Sequence, residues 1–335
     1  MKIDNFDLNR DVLIVAEIGN NHEGNFDLAQ RLIREAAKAG AGAVKFQTIV
    51  PERLVSPSDR ERVRQLEKFR LTYDQFKQLS QTAKQEGVLF LSTPFDIESV
   101  QFLNQLVPAF KIASGDNNFF PMIEVIARTG KPIILSSGMT DLDQIKKTKE
   151  FIEKIWNQKG IQQELALLHC VVSYPTAPHE ANLSAIKELS KLKVTVGYSD
   201  HTAGIEAAVL SVGLGARIIE KHFTLDHNYS DFHDHKISAD PEEFKELVKR
   251  VRFALELLGD GVKRLQESER KIMEKVRRSI VTSRPLDKGA IIHLEDLSWL
   301  RPAVGLPPGE EEKIVGRKLK RKLTVGEPIQ FSDLE

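Results

Sequence analysis

Two short runs of the chain end on a histidine: Val196-Gly197-Tyr198-Ser199-Asp200-His201 and Ile218-Ile219-Glu220-Lys221-His222. Both are extended in pattern, and the apolar, small-residue stretch 203–215 between them suits a helix. A strand–helix–strand unit sets its strands parallel and usually side by side, so His201 and His222 are expected at one mouth, flanked by Asp200 and Glu220. Neutral imidazoles with nearby carboxylates suit a divalent metal that keeps positions open for substrate. A histidine at a strand end is also a common hydrogen-bonded core residue, and the pair alone does not separate the two readings.

Lys45 and Lys111 sit inside apolar runs, where a bare ammonium is costly. They require either internal ion pairs with Glu17 or Glu220, or an anion held by two lysines and neighbouring hydroxyls. A metal that polarises a carbonyl, lysines that hold an anionic co-substrate and carboxylates that move protons make one two-substrate chemistry. The same amines, with Lys221, also permit a Schiff-base aldolase or lyase acting on a keto acid. A sugar-binding protein on a retired barrel would have lost these rim ionisable residues, and all are present. His227, His233 and His235 could share a second metal or stay solvated.

Positioning such a set needs a scaffold that brings strand ends together. Strand-like runs at 12–18, 43–48, 89–94, 110–114, 132–137, 165–170, 195–199 and 217–223 alternate with helical patterns at 27–39, 72–86, 97–106, 121–128, 142–156, 183–189, 204–214 and 241–257. Thr72 and the Asp240-Pro241 pair are helix-start signals. That alternation predicts an α/β fold, a (β/α)8 TIM barrel, whose active site lies at the C-terminal strand ends. A doubly wound sheet would more often carry a glycine-rich phosphate loop after the first strand, where this chain reads Ile18-Gly19-Asn20-Asn21-His22-Glu23-Gly24. The expected domains are a catalytic barrel at 1–260, a charged linker at 261–275 and a small β-rich domain at 276–335, with similar turns at Leu286-Asp287-Lys288-Gly289 and Leu323-Thr324-Val325-Gly326.

Acidic and basic residues balance at 48 each, so nothing in the charge argues for nucleic acid or a membrane surface. No apolar run approaches the ~20 residues of a membrane span. The single cysteine, Cys170, excludes an internal disulfide and fits a reducing, cytoplasmic location, and its place at the end of an apolar run suits a buried thiol.

The motifs Ala16-Glu17-Ile18-Gly19-Asn20-Asn21-His22, Lys45-Phe46-Gln47-Thr48, Ser92-Thr93-Pro94-Phe95, Lys111-Ile112-Ala113-Ser114-Gly115-Asp116, Ser136-Ser137-Gly138-Met139, Tyr198-Ser199-Asp200-His201-Thr202 and Glu220-Lys221-His222-Phe223-Thr224 together resemble the sialic acid synthase (N-acetylneuraminate synthase) family. The tail around Trp299-Leu300-Arg301-Pro302 resembles the antifreeze-like SAF domain, a β-clip fold, that completes such enzymes. The resemblance implies condensation of phosphoenolpyruvate with an N-acylated amino sugar to give a nonulosonic acid and phosphate. It implies that His201 and His222 hold Mn2+ or Mg2+, and that Lys45, Thr93, Lys111, Ser114, Ser136 and Ser199 hold phosphoenolpyruvate. Glu17, Gln47, Asp116, Tyr174 and Asp234 would address the sugar or the water, with Glu17 or Glu220 assisting the water step. Arg301 would reach the sugar's acyl group from the partner subunit of a domain-swapped homodimer. Val172 stands where the family usually has Asn or Ser, and Phe232-His233-Asp234-His235 replaces the more usual Gly-Pro-Asp-His.

Overall fold

The computed structural model describes residues 1–335, which form two compact units, Met1–Gly259 and Asp260–Glu335. The first opens with a short antiparallel hairpin, β1 (Lys2–Ile3) and β2 (Phe6–Asp7). Eight strands follow: β3 (Leu13–Gly19), β4 (Ala43–Thr48), β5 (Leu89–Pro94), β6 (Phe110–Ile112), β7 (Ile133–Ser136), β8 (Leu165–Cys170), β9 (Thr195–Asp200) and β10 (Ile218–His222). Parallel hydrogen-bonded pairs run in the order β5-β4-β3-β10-β9-β8-β7-β6, and the end strands β5 and β6 pack together to close the sheet into a barrel.

Side-chain alternation makes this barrel both a core and a site. One face of the strands turns inward. Its lower layers are Leu13, Val15, Ala43, Leu91, Ala109, Ile134, Ala166, Leu168 and Ile218, all buried in one apolar cluster. Met1, Ile3 and Leu8 join that cluster, so the hairpin plugs the N-terminal end of the barrel. Two strands of two residues leave no readable period, and the plug is absent from the sequence expectation. Gly197 holds an inward position because a Cβ there would lie 2.4 Å from both the Ile218 carbonyl and the Leu168 side chain. The outward face carries Ile14, Ala16 and Ile18, packed against helical residues such as Leu32, Ile33 and Ala36.

The helices are α1 (Phe26–Lys38), α2 (Pro51–Leu54), α3 (Arg60–Phe69), α4 (Tyr73–Gln85), α5 (Ile97–Leu103), α6 (Phe120–Arg128), α7 (Leu142–Lys159), α8 (Ala185–Ser190), α9 (Glu206–Gly213), α10 (Asp234–Ile237) and α11 (Pro241–Leu258). Thr72 caps α4 and Asp240 caps α11, each with a reciprocal bond from the third helical residue, Gln75 and Glu243. Helices α2, α3 and α10 lie outside the expected eight. They are short or heavily charged and carry little apolar period.

In the second unit, residues 267–275 of the expected charged linker, with Val276, form a helix, α12 (Glu267–Val276). Its charges fall at helical spacing, as in the 3.1 Å Arg270–Glu267 pair. Strands β11 (Ser279–Thr282) and β12 (Leu297–Leu300) pair antiparallel over a core that includes Ile280, Ile292, Leu319 and Ile329. The two similar turns meet through an antiparallel bridge between Leu286 and Leu323. No helix in either unit is long and apolar enough to cross a membrane.

Candidate active site

Above the apolar layers, the inward positions of the same strands become polar. Glu17 (β3), Lys45 and Gln47 (β4), Thr93 (β5), Lys111 (β6), Ser136 (β7), Cys170 (β8), Ser199 (β9), and Glu220 and His222 (β10) all line one cavity of about 290 Å3 at the C-terminal strand ends. His201, Ser114, Tyr174 and Asp234 complete the wall from the loops. Two expected residues lie elsewhere. Asp116 sits in a short 3-10 turn just beyond the lining Gly115, and Arg301 is exposed in the second unit.

The lysines are held by a buried charge network. Lys45 Nζ lies 2.8 Å from Glu17 Oε2 and 3.6 Å from Glu220 Oε2, and donates to Thr93 Oγ1 at 3.2 Å. Lys111 Nζ donates to Ser136 Oγ at 2.7 Å and stands 3.8 Å from Glu220 Oε1, which also accepts from Ser199 Oγ at 2.9 Å. Burial favours the neutral form of each group, and the network decides which groups resist. For Glu220, Lys111, Lys45 and Ser199 overcome burial and bring the carboxyl down to about 2. Glu17 moves the other way: burial, reinforced by the Glu220 charge, raises it despite Lys45. Burial lowers Lys111, whereas Lys45 is raised because its two carboxylates outweigh burial. The internal ion pairs considered from sequence therefore exist, within a cavity that opens onto the same ammonium groups.

The rings of His201 and His222 stand 5.5 Å apart, with Tyr174 packed 4.3 Å from His201 between ring centroids. His201 Nδ1 is fixed by the Val171 carbonyl at 2.8 Å, which leaves Nε2 as the free ring nitrogen. His222 Nδ1 is buried without a hydrogen-bond partner, 3.8 Å from Asp234 Oδ2. Burial drives His222 down to about 4, so its imidazole is neutral at pH 7. Burial also opposes a charged His201, but the Cys170 thiol and the Val171 carbonyl outweigh it and raise the pKa.

Asp200 does not flank this pair. Strand alternation turns Ser199 and Glu220 inward and their neighbours Asp200 and Lys221 outward, where Lys221 Nζ meets Asp200 Oδ2 at 3.1 Å. Lys221 is 1% exposed and also donates to the Thr202 carbonyl, so it offers no amine to the cavity. The loop histidines do not converge either. His233 pairs with Asp234, the buried His235 with Glu23 and Thr224, and His227 with Glu243.

Residues 32–263 match the NeuB family, and residues 277–335 match the SAF domain. The chain belongs to the NeuB family. It is 39% identical to the N,N'-diacetyllegionaminic acid synthase of Campylobacter jejuni, over 91% of this chain and 95% of that protein. It is 34% identical to the human N-acetylneuraminate-9-phosphate synthase, over 91% and 88% of the two chains. Among solved structures, the N-acetylneuraminic acid synthetase of Leptospira borgpetersenii in complex with citrate superposes with a TM-score of 0.77 at 36% identity, over 82% of this chain and 95% of that one.

Membership of the NeuB family accounts for the strand-end motifs, but the cavity also holds residues that no strand-end reading reaches. Arg62 enters from helix α3, Asn20, Phe95 and Met139 from loops, and Phe232 and His233 from the segment before α10. Cys170 lines the cavity too, its Sγ 3.7 Å from His201 Nδ1, at an inward position that strand alternation from Leu168 could have revealed. Asp116, partly buried in its short turn, is pushed up to about 6 by burial.

Proposed function

We propose that this NeuB-family transferase condenses phosphoenolpyruvate with an N-acylated amino sugar, giving a nonulosonic acid and inorganic phosphate. One observation carries the reading: a single cavity holds two buried lysines, each on a hydroxyl, and two buried imidazoles beside them. Lys111 with Ser136 and Ser114, and Lys45 with Thr93 and Ser199, supply the donors that a phosphate and a carboxylate require. Gln47, Tyr174, Asp234 and Asp116 address the sugar, and Arg301 reaches its acyl group from the partner subunit of a domain-swapped homodimer. A reducing, cytoplasmic setting suits the free Cys170.

His201 and His222 fit a divalent cation, Mn2+ or Mg2+: His222 Nδ1 is buried without a partner, and His201 keeps Nε2 free. Such a cation would supply Lewis-acid polarisation of the acceptor aldehyde. The chain's own groups do the rest. Lys45 and Lys111 orient the enol so that its C3 bonds to the aldehyde carbon, and the aldehyde oxygen takes a proton from Glu17, which regains one from water in the later step. Positive charge then develops at the phosphate-bearing C2, beside the ionised Glu220. Water adds at C2, and Glu17, raised from the ordinary carboxylate range by burial, takes its proton. Cleavage of the C2–O bond to phosphate, with the C2 hydroxyl proton passing to the departing phosphate, leaves the keto acid.

The Schiff-base reading finds one supporting feature, the lowered pKa of Lys111. Lys111 is nonetheless tied to Ser136 and Glu220, and family membership favours the condensing reaction. Phosphoenolpyruvate carrying 18O in its bridging position separates the two outcomes of bond cleavage. Mass spectrometry is expected to find the label in released phosphate, and label retained in the keto product would contradict this mechanism.

A further inference from the structure

The charged groups of the cavity are nearly all accounted for within it. Lys45 and Lys111 share Glu17 and Glu220, and Asp234 pairs with His233. Arg62 is the exception. It lines the same cavity, no carboxylate lies within ion-pair distance of it, and its only side-chain hydrogen bond is from Nη1 to Gln65 Oε1 at 2.6 Å.

Arg62 is exposed at the rim of the cavity, on the side lined by Phe232, His233 and Asp234. Helix α3 is anchored by Leu66, 1% exposed, and its last residue, Phe69, packs edge-on against Phe232 with centroids 4.9 Å apart. Asp59 caps the helix by accepting from the Arg62 N–H at 3.1 Å. Phe232 lines the cavity, and the Arg62 charge reaches His233, where it opposes the protonated ring. Arg62 thus stands by the segment that carries Asp234, while Lys45 and Lys111, with their hydroxyl partners Thr93 and Ser136, occupy the strand ends. An unpaired guanidinium facing a cavity is a planar fork suited to two oxygens of a phosphate monoester.

We propose that Arg62 is a specificity-determining residue that binds a phosphate ester at the end of the acceptor sugar remote from its aldehyde. The inference rests on the condensation proposed above and names the class of acceptor. Overall identity does not supply it, since relatives named for a diacetylated acid and for a 9-phosphate product stand at 39% and 34%.

Steady-state kinetics with saturating phosphoenolpyruvate and Mn2+ test it, using N-acetylmannosamine, its 6-phosphate and the corresponding hexosaminuronic acid as acceptors. The wild-type protein is expected to favour the 6-phosphate by about tenfold to a hundredfold in kcat/KM, the range of one charge-assisted contact. Arg62→Ala should bring the ratio of the phosphorylated to the neutral acceptor close to one, chiefly through the acceptor KM, with the KM for phosphoenolpyruvate unmoved. Arg62→Lys should restore part of the ratio. Preference for the neutral sugar, better use of the uronic acid, an equal loss on both acceptors, or a raised KM for phosphoenolpyruvate would each overturn the assignment. Turnover with the neutral sugar alone leaves the condensation standing and removes only the role of Arg62, whereas phosphate release with no acceptor at all removes both.

Discussion

Lys111→Met is expected to lower kcat/KM for phosphoenolpyruvate by about 10²–10³-fold, the cost of one preorganised donor to developing or bound charge. The ammonium sits 2.7 Å from Ser136 Oγ and is 3% exposed, so no solvent cation can take its place without rearrangement. Stability should fall as well. Removing one member of a buried ion pair costs about 3–5 kcal/mol, and here less, because Lys45 remains 3.6 Å from Glu220. The double variant Lys111→Met, Glu220→Gln is therefore expected to regain melting temperature but not activity. Recovery of both together would mean that Lys111 acts only by holding the fold.

His222→Ala is expected to abolish metal-stimulated turnover, a loss of several kcal/mol of barrier lowering, or about 10³-fold or more. The fold should survive. His222 Nδ1 makes no hydrogen bond, and the side chain borders an open cavity rather than the apolar core. Circular dichroism should show an unchanged spectrum, and titration with Mn2+ should show no rise in rate. A variant still accelerated by metal to the wild-type extent would remove His222 from the proposed cation site.

Much of this arrangement is legible in the chain because a buried parallel strand must alternate its side chains. Once 43–48 and 218–222 are read as strands, Lys45 and Glu220 must fall on the same face as Ala43 and Ile218, and that face is the barrel interior. The same rule, applied fully, would have removed Asp200 and Lys221 from the mouth, since each neighbours an inward residue. What the chain conceals is placed by tertiary packing. Arg62 lies on a charged helix with only Leu66 buried, and its direction depends on the Phe69–Phe232 contact. The opposite shifts of Glu17 and Glu220 are equally hidden: both are buried glutamates, and only the distances to Lys45, Lys111 and Ser199 separate them.

In the proposed reaction one cavity joins phosphoenolpyruvate to an amino sugar with help from a divalent cation. Phosphate release from the EDTA-stripped protein, measured with each of phosphoenolpyruvate, acceptor and Mn2+ omitted in turn, tests it most directly. Release is expected only when all three are present, with one keto acid formed per phosphate. Release that continues without acceptor or without metal, or none across phosphorylated and neutral hexosamines, would contradict it.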